Sequence, residues 1–133
     1  MKTGTLCFLV KDNSILLGMK KRGFGEGKWN GFGGKIAAGE TVAAAALREL
    51  DEEIGVRGDE ESLAPMGVLK FRSVNPAMNW DVHLFFLHEW SGEPTESEEM
   101  RPMWHKKDAI PYEAMWSDDI LWLPHLLAGN RIE

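Results

Sequence analysis

The chain has 133 residues, a formal net charge of −6 and 44% apolar residues, enough for one soluble domain with a real core. The acidic balance excludes a broad footprint for a DNA or RNA polymer, which needs a basic face; a nucleotide stays open, because a bound metal can screen its phosphates. The single cysteine, Cys7, excludes an internal disulfide, and the apolar runs are too short for a membrane span or a signal peptide, so a cytoplasmic protein is expected.

Thr5 to Val10, reading TLCFLV, predicts a buried strand with Cys7 as a small core residue. The polar KDNS turn leads into a second strand, ILLGMK. From Lys21 to Lys35 six glycines fall within fifteen residues, too many for a regular element and enough for a conformationally demanding loop. A helix follows from Thr41 to Ile54, with Thr41 as N-cap, Glu40 near the positive end of its dipole and Gly55 as a left-handed cap. Its wheel gathers Ala43, Ala46, Leu47, Leu50 and Ile54 on one apolar face, and the alanines permit close approach to a sheet.

PMGVLKF and WDVHLFFLHEW predict longer strands, the second bulky on both faces and therefore central. SGEPTESEE is an acidic loop and MWHKK a short strand. SDDILWLPHLLAG predicts a second helix with Ser117 as N-cap and Asp118 and Asp119 in its first turn. Pro124 inside it predicts a kink or a shorter pair of turns. A helix on each side of the sheet gives an α/β/α sandwich, a single domain over residues 1–133.

The chemistry sits on the first helix. Glu49, Glu52 and Glu53 occupy positions i, i+3 and i+4, so their carboxylates converge on one patch flanking the apolar face. Such crowding asks for a cation, and oxygen donors at this density suit Mg²⁺, with Mn²⁺ as a substitute, better than zinc or copper. His83, His88, His105 and His125 show no zinc spacing. Gly33 and Gly34 let backbone groups approach a metal or phosphate. Lys20, Lys21, Arg22 and Lys35 flank the loop as phosphate contacts or as solvated charges, Lys20 and Lys35 being the stronger candidates. Arg48 is placed to orient a neighbouring glutamate through a bidentate pair. Hydrolysis of a phosphoanhydride needs charge neutralisation, a positioned water and a base, and these groups supply the means.

Gly34 to Val56 matches the pattern G-x5-E-x7-R-E-U-x-E-E-x-G-U at every constrained place, with Gly34, Glu40, Arg48, Glu49, Leu50, Glu52, Glu53, Gly55 and Val56. On these residues the chain resembles the Nudix hydrolases. LLGMKKRGFGEGKWNGFGGK, ESEEMRPMW and MWSDDILWLPHLL are similar to stretches of the MutT-homologue branch of that family, so the likeness runs from about Thr5 to Leu127. The resemblance implies the Nudix fold, an α/β class with an α/β/α sandwich and a mixed central sheet. It implies a monomer that cleaves oxidised purine nucleoside triphosphates, such as 8-oxo-dGTP and 2-hydroxy-dATP, to the monophosphate and pyrophosphate by water attack at the β-phosphorus.

By the same resemblance Glu49, Glu52 and Glu53 bind metal with the backbone of Gly33 and with Glu99 from a distant loop. Arg48 supports the catalytic carboxylates, and Glu53 is the most damaging single loss. Which carboxylate is the base stays open. Thr5, Lys20, Phe24, Asn30, Phe32, Gly33, Gly34, Lys35, Trp116, Asp118 and Asp119 are the implied substrate contacts. Two adjacent aspartates in an apolar pocket cannot both ionise cheaply, so one keeps a proton and the pair offers a purine both a donor and acceptors. Read without the resemblance, the same pair is a helix start interacting with the dipole. Trp80 replaces a smaller apolar residue of the branch at the expected pocket edge, and Ser73 stands where the branch has an aromatic; both bear on base selectivity. The chain also ends at Glu133, short of a hairpin-like extension in the branch.

Rival substrates find less support. ADP-ribose enzymes carry a proline where Phe71 and Arg72 stand, dinucleoside polyphosphate enzymes a tyrosine where none is found, and no NADH-type stretch occurs. Non-catalytic Nudix modules commonly lose glutamates of the Gly34–Val56 pattern, the Nudix box; here all are present.

Overall fold

Apolar residues alternate onto both faces of the first strand, and this alternation organises the molecule. The computed structural model describes residues 2–131, so the expectation resting on Glu133 lies outside the described residues. Strand β1 runs Lys2–Lys11 and turns through Asp12, at φ 56°, into β2, Ser14–Lys20. A two-residue hairpin loop of this kind favours a residue tolerant of the left-handed region, which aspartate is. Then come β3 (Trp29–Asn30), helix α1 (Val42–Ile54), β4 (Leu63–Phe71), β5 (Trp80–Leu87), β6 (Met100–Lys106) and helix α2 (Asp119–Leu127).

The six strands form one mixed sheet in the order β3-β2-β1-β5-β4, with β6 also pairing β2. β1 and β5 run parallel from Lys2↔Trp80 to Leu9↔Leu87, and the other pairs are antiparallel. β5 is therefore interior, as its two-sided bulk implied. Cys7, Leu9, Phe85 and Leu87 face Ala46, Leu50 and Ile54 of α1. Phe8, Val10, Leu84 and Phe86 face Trp122, Leu123 and Leu126 of α2. The three-layer α/β/α architecture follows from this alternation.

The box helix forms as its sequence indicates. Thr41 caps it by accepting a hydrogen bond from the Ala44 amide, and Gly55, at φ 70°, closes it in the left-handed region. Ala45 joins the buried face beside Ala46, Leu50 and Ile54.

Helix α2 departs from expectation at its N-cap. Asp118, not Ser117, holds the N-cap position, and it makes no side-chain capping bond. A single helix runs through Pro124. Proline removes only one helical hydrogen bond so soon after the free first turn, and burial of Trp122, Leu123 and Leu126 holds the segment in place.

The feature that makes room for a site is a parting of strands. β2 pairs with β1 only from Leu9 to Lys11. Beyond that, the β1 edge is taken by the glycine-rich loop: the Thr5 amide donates to the Gly34 carbonyl at 2.9 Å, and Cys7 and Phe32 exchange backbone bonds. The loop is thus pinned to the sheet, with β2 diverging on its other side. Among the described residues no helix is long and apolar enough to cross a membrane.

Candidate active site

A cavity of about 540 Å³ opens at this parting. One end is built from the loop and α1, the other from the segment leading into α2. Thr5, Lys20, Phe24, Asn30, Gly33, Gly34, Lys35, Glu53, Trp116, Asp118 and Asp119 all line it. Eleven of the residues implied by the resemblance therefore meet in one space, drawn from β1, β2, the glycine loop, α1 and the start of α2.

At the carboxylate end, close backbone packing sets the geometry. A Cβ on Gly33 would lie 1.8 Å from the Thr5 carbonyl oxygen, so only glycine lets the loop dock there. The Gly33 amide donates to Glu53 Oε1 at 3.0 Å. A Cβ on Gly34 would lie 2.7 Å from Glu49 Oε1, so the second glycine clears space for that carboxylate. Burial, and then the charge of Glu49, push the Glu53 carboxyl up to about 8; the Gly33 amide and Lys20 oppose this only in part.

Arg48 ties the neighbouring carboxylates together. Its Nε and Nη2 grip both oxygens of Glu40 at 2.6 and 3.0 Å, the bidentate pair expected of it. Nη1 donates to Glu49 at 3.0 Å and to Glu52 at 3.1 Å. Glu40 thus serves Arg48 and the Ala37 amide and stands outside the first turn of the helix, and the Arg48 hydrogen bond holds its carboxyl below the usual range.

The expected metal-ligand set is only partly assembled. Glu49 and Glu53 lie together at the loop, whereas Glu52 turns outward to Arg48 with its side chain 58% exposed. Glu99 bonds to Arg22 at 2.7 Å and to Lys20 at 3.4 Å, and these partners, Arg22 first, hold its carboxyl low. Among the described residues no three His, Cys, Asp or Glu side chains are grouped closely enough to hold a metal ion. What is present fits a hard cation: paired carboxylates, with Glu53 pushed up by burial and then by the charge of Glu49, in a cradle that any Cβ would fill.

At the other end the pocket is aromatic with a polar floor. Trp116 stacks against Phe24, ring centroids 5.0 Å apart, and Lys28 Nζ sits 5.1 Å from the Trp116 ring centre. Phe24 is 88% exposed and forms the rim. Asp119 is buried; burial and then the charge of Asp118 push its carboxyl up to about 7, against the Trp116 amide and Lys28. Two buried oxygens, Thr5 Oγ1 and Asp119 Oδ2, have no hydrogen-bond partner among the described residues, and both belong to cavity-lining side chains. A buried polar atom without a partner is costly, and both of these lie in residues that wall the one cavity.

Two sequence expectations are corrected here. Phe32 is fully buried in the α1-side core, with its ring under Gly18 and beside Met100, and it lines no part of the cavity. Its neighbours Gly31 and Gly33 face the cavity because successive residues of an extended segment point to opposite sides. Ser73 lies beyond the end of β4, where its amide bonds Asn79 Oδ1, and the pocket wall from that strand is Leu69 and Phe71. The alternation of β4 carries that signal. Lys28 and Trp122 were also missed; Trp122 stands one helical turn after Asp118, a spacing that foretells contact. Trp80 does stand at the pocket edge.

The NUDIX domain family model matches residues 2–126, and the chain belongs to the Nudix family. It is 51% identical over 127 residues to the oxidized purine nucleoside triphosphate hydrolase of Danio rerio, covering 96% of this chain and 80% of that one. Identity to the Mus musculus protein of the same name is 49%, with the same coverage. Among solved structures, the mutator MutT protein from Bacillus halodurans superposes with a TM-score of 0.83 at 28% identity, over 99% of this chain and 86% of its own. Nudix hydrolases use a divalent metal, in keeping with the carboxylate end of the cavity.

Proposed function

We propose that the protein hydrolyses oxidised purine nucleoside triphosphates, 8-oxo-dGTP and 2-hydroxy-dATP among them, to the monophosphate and pyrophosphate. It does so with Mg²⁺, or Mn²⁺ in its place, as a cytoplasmic monomer that clears damaged precursors before they reach DNA. The observation that carries this reading is the joining, in one cavity, of the Gly33–Gly34–Glu53 cradle to the Trp116–Asp118–Asp119 pocket. The names of the fish and mouse relatives agree with it.

Glu49, Glu53 and the Gly33 backbone would hold the metal, joined by Glu52 and Glu99 once these leave Arg48 and the Lys20–Arg22 pair. Bound there, Mg²⁺ supplies Lewis acidity that neutralises charge on the phosphate oxygens. The protein's own groups do the rest. Lys20 and Lys35 orient the phosphate chain, and Arg48 fixes Glu49 so that the carboxylates keep their spacing. Water oxygen forms a bond to the β-phosphorus as the bond to the α,β-bridging oxygen breaks. The water proton passes to a box carboxylate, and the nucleoside monophosphate departs with the bridging oxygen.

Trp116 stacks on the base, with Asn30 and the aspartates reading its edge. A protonated Asp119 donates where an oxopurine presents an oxygen, while Asp118 accepts from a base N–H. Product analysis tests the reaction. Incubation with 8-oxo-dGTP and Mg²⁺ should yield monophosphate and pyrophosphate; release of diphosphate and orthophosphate, or faster turnover of ADP-ribose, would contradict it.

A further inference from the structure

Trp80 lines the cavity near its carboxylate end. A Cβ on Gly4 would touch its ring at 3.2 Å and the Gly34 carbonyl oxygen at 3.1 Å, and Gly34 in turn abuts Glu49. The indole therefore lies beside the carboxylate cradle. Two ammonium groups sit over it, Lys2 Nζ at 5.4 Å and Lys35 Nζ at 5.9 Å from the ring centre. Backbone pairing fixes all three carriers, since Lys2 is registered opposite Trp80 and Lys35 bridges to Gly4.

Among the described residues neither Lys2 nor Lys35 forms an ion pair with a carboxylate, although Lys20, Lys21 and Arg22 in the same region all do. An aromatic face holds a cation in place without cancelling its charge, which a carboxylate would do. In a chain of net charge −6, two ammoniums without a carboxylate partner among the described residues, held on a cavity-lining indole, form a local anion trap.

We propose that Trp80 positions Lys35 and Lys2 as a two-ammonium clamp for the phosphate chain, which adds Lys2 to the substrate-binding residues and makes Trp80 a positioning residue. The inference rests on the triphosphate reading of the site, and it assigns Trp80 to phosphate recognition instead of to the base wall.

Binding of inorganic tripolyphosphate with Mg²⁺, followed by calorimetry on the full chain, tests it without a purine. Trp80→Leu should weaken binding about fivefold, and Trp80→Phe, which restores an aromatic face, should recover most of that loss. Lys2→Met and Lys35→Met should each weaken it, and in the double-lysine variant Trp80→Leu should cost nothing more. Thermal melting of Trp80→Phe and Trp80→Leu separates this from misfolding. A Trp80→Leu loss of equal size with and without the lysines overturns the clamp. So does normal tripolyphosphate binding with weakened binding of a purine nucleoside monophosphate, since Trp80 is then a base wall. Wild-type protein that does not bind tripolyphosphate also overturns it. Wild-type protein that binds tripolyphosphate yet hydrolyses no purine triphosphate contradicts the substrate reading and leaves the clamp standing.

Discussion

Trp122 Nε1–H donates to Asp118 Oδ2 at 3.0 Å, one helical turn along α2, and this bond makes the two adjacent aspartates unequal. Asp118 is anchored by the indole. Asp119, next in the chain, keeps a buried Oδ2 without a partner among the described residues and a carboxyl pushed up to about 7 by burial and by its neighbour's charge. Of the two, Asp119 is the one whose carboxyl burial raises towards neutral pH.

The first expectation is a pH dependence with a definite sign. The Asp119 carboxyl rises from 3.8 to about 7 on folding, so the folded protein binds the extra proton between those values. Its contribution to stability is complete below the lower value and is lost as pH rises through the upper one. Asp119→Asn should flatten that slope in ligand-free protein, measured by urea unfolding across the window. A slope unchanged by the substitution would mean that Asp119 is already ionised.

Base recognition should separate from metal binding. Asp118→Ala and Asp119→Ala are each expected to lower discrimination between 8-oxo-dGTP and dGTP by about tenfold or more, the cost of an unmatched buried polar contact. Mg²⁺ affinity, read by titration in the absence of nucleotide, should stay within about twofold, since neither residue lies at the carboxylate end. Loss of metal affinity would place the aspartates in the wrong half of the site.

The two loop glycines should fail in different ways. On Gly33 an added Cβ meets the Thr5 backbone at 1.8 Å, and backbone cannot yield cheaply, so Gly33→Ala should cost several kcal/mol of stability, on the order of 3 or more. On Gly34 the added atom meets the end of the Glu49 side chain at 2.7 Å, which can swing away. Gly34→Ala should therefore melt near wild type while losing most of its activity. The pair of thermal melts and rates checks this contrast.

Glu53→Gln should trade stability against function. The neutral isostere removes the buried charge set against Glu49, so metal-free protein should melt higher than wild type at pH 9, where the native carboxyl is ionised. Its kcat should fall by about 10²–10⁴-fold. A variant that keeps its rate would remove Glu53 from the catalytic group.

These contrasts mark where the sequence was readable. Regular elements were, because a 3.6-residue repeat put Glu49, Glu52 and Glu53 near one another, and two-sided bulk placed β5 inside the sheet. Side-chain direction in the glycine loop was not, since Phe32 turns into the core while the glycines on either side face the cavity. Ser73 stands two residues past the end of β4, where the chain has left the strand and alternation no longer aims its side chain at the pocket. Long-range ion pairs were equally hidden: nothing local to Glu99 announces that Arg22, 77 residues earlier, holds it. Ser117 lost the cap position to Asp118 by a one-residue shift of a kind common at helix ends.

The most direct measurement is the ratio of kcat/KM for 8-oxo-dGTP to that for dGTP, taken on wild-type protein with Mg²⁺ and with Glu53→Gln as the control for contaminating activity. The expected ratio is about tenfold or more, because the Asp118–Asp119 floor favours the oxidised edge. Equal turnover of the two nucleotides would contradict the account, leaving a Nudix hydrolase whose pocket does not read base damage.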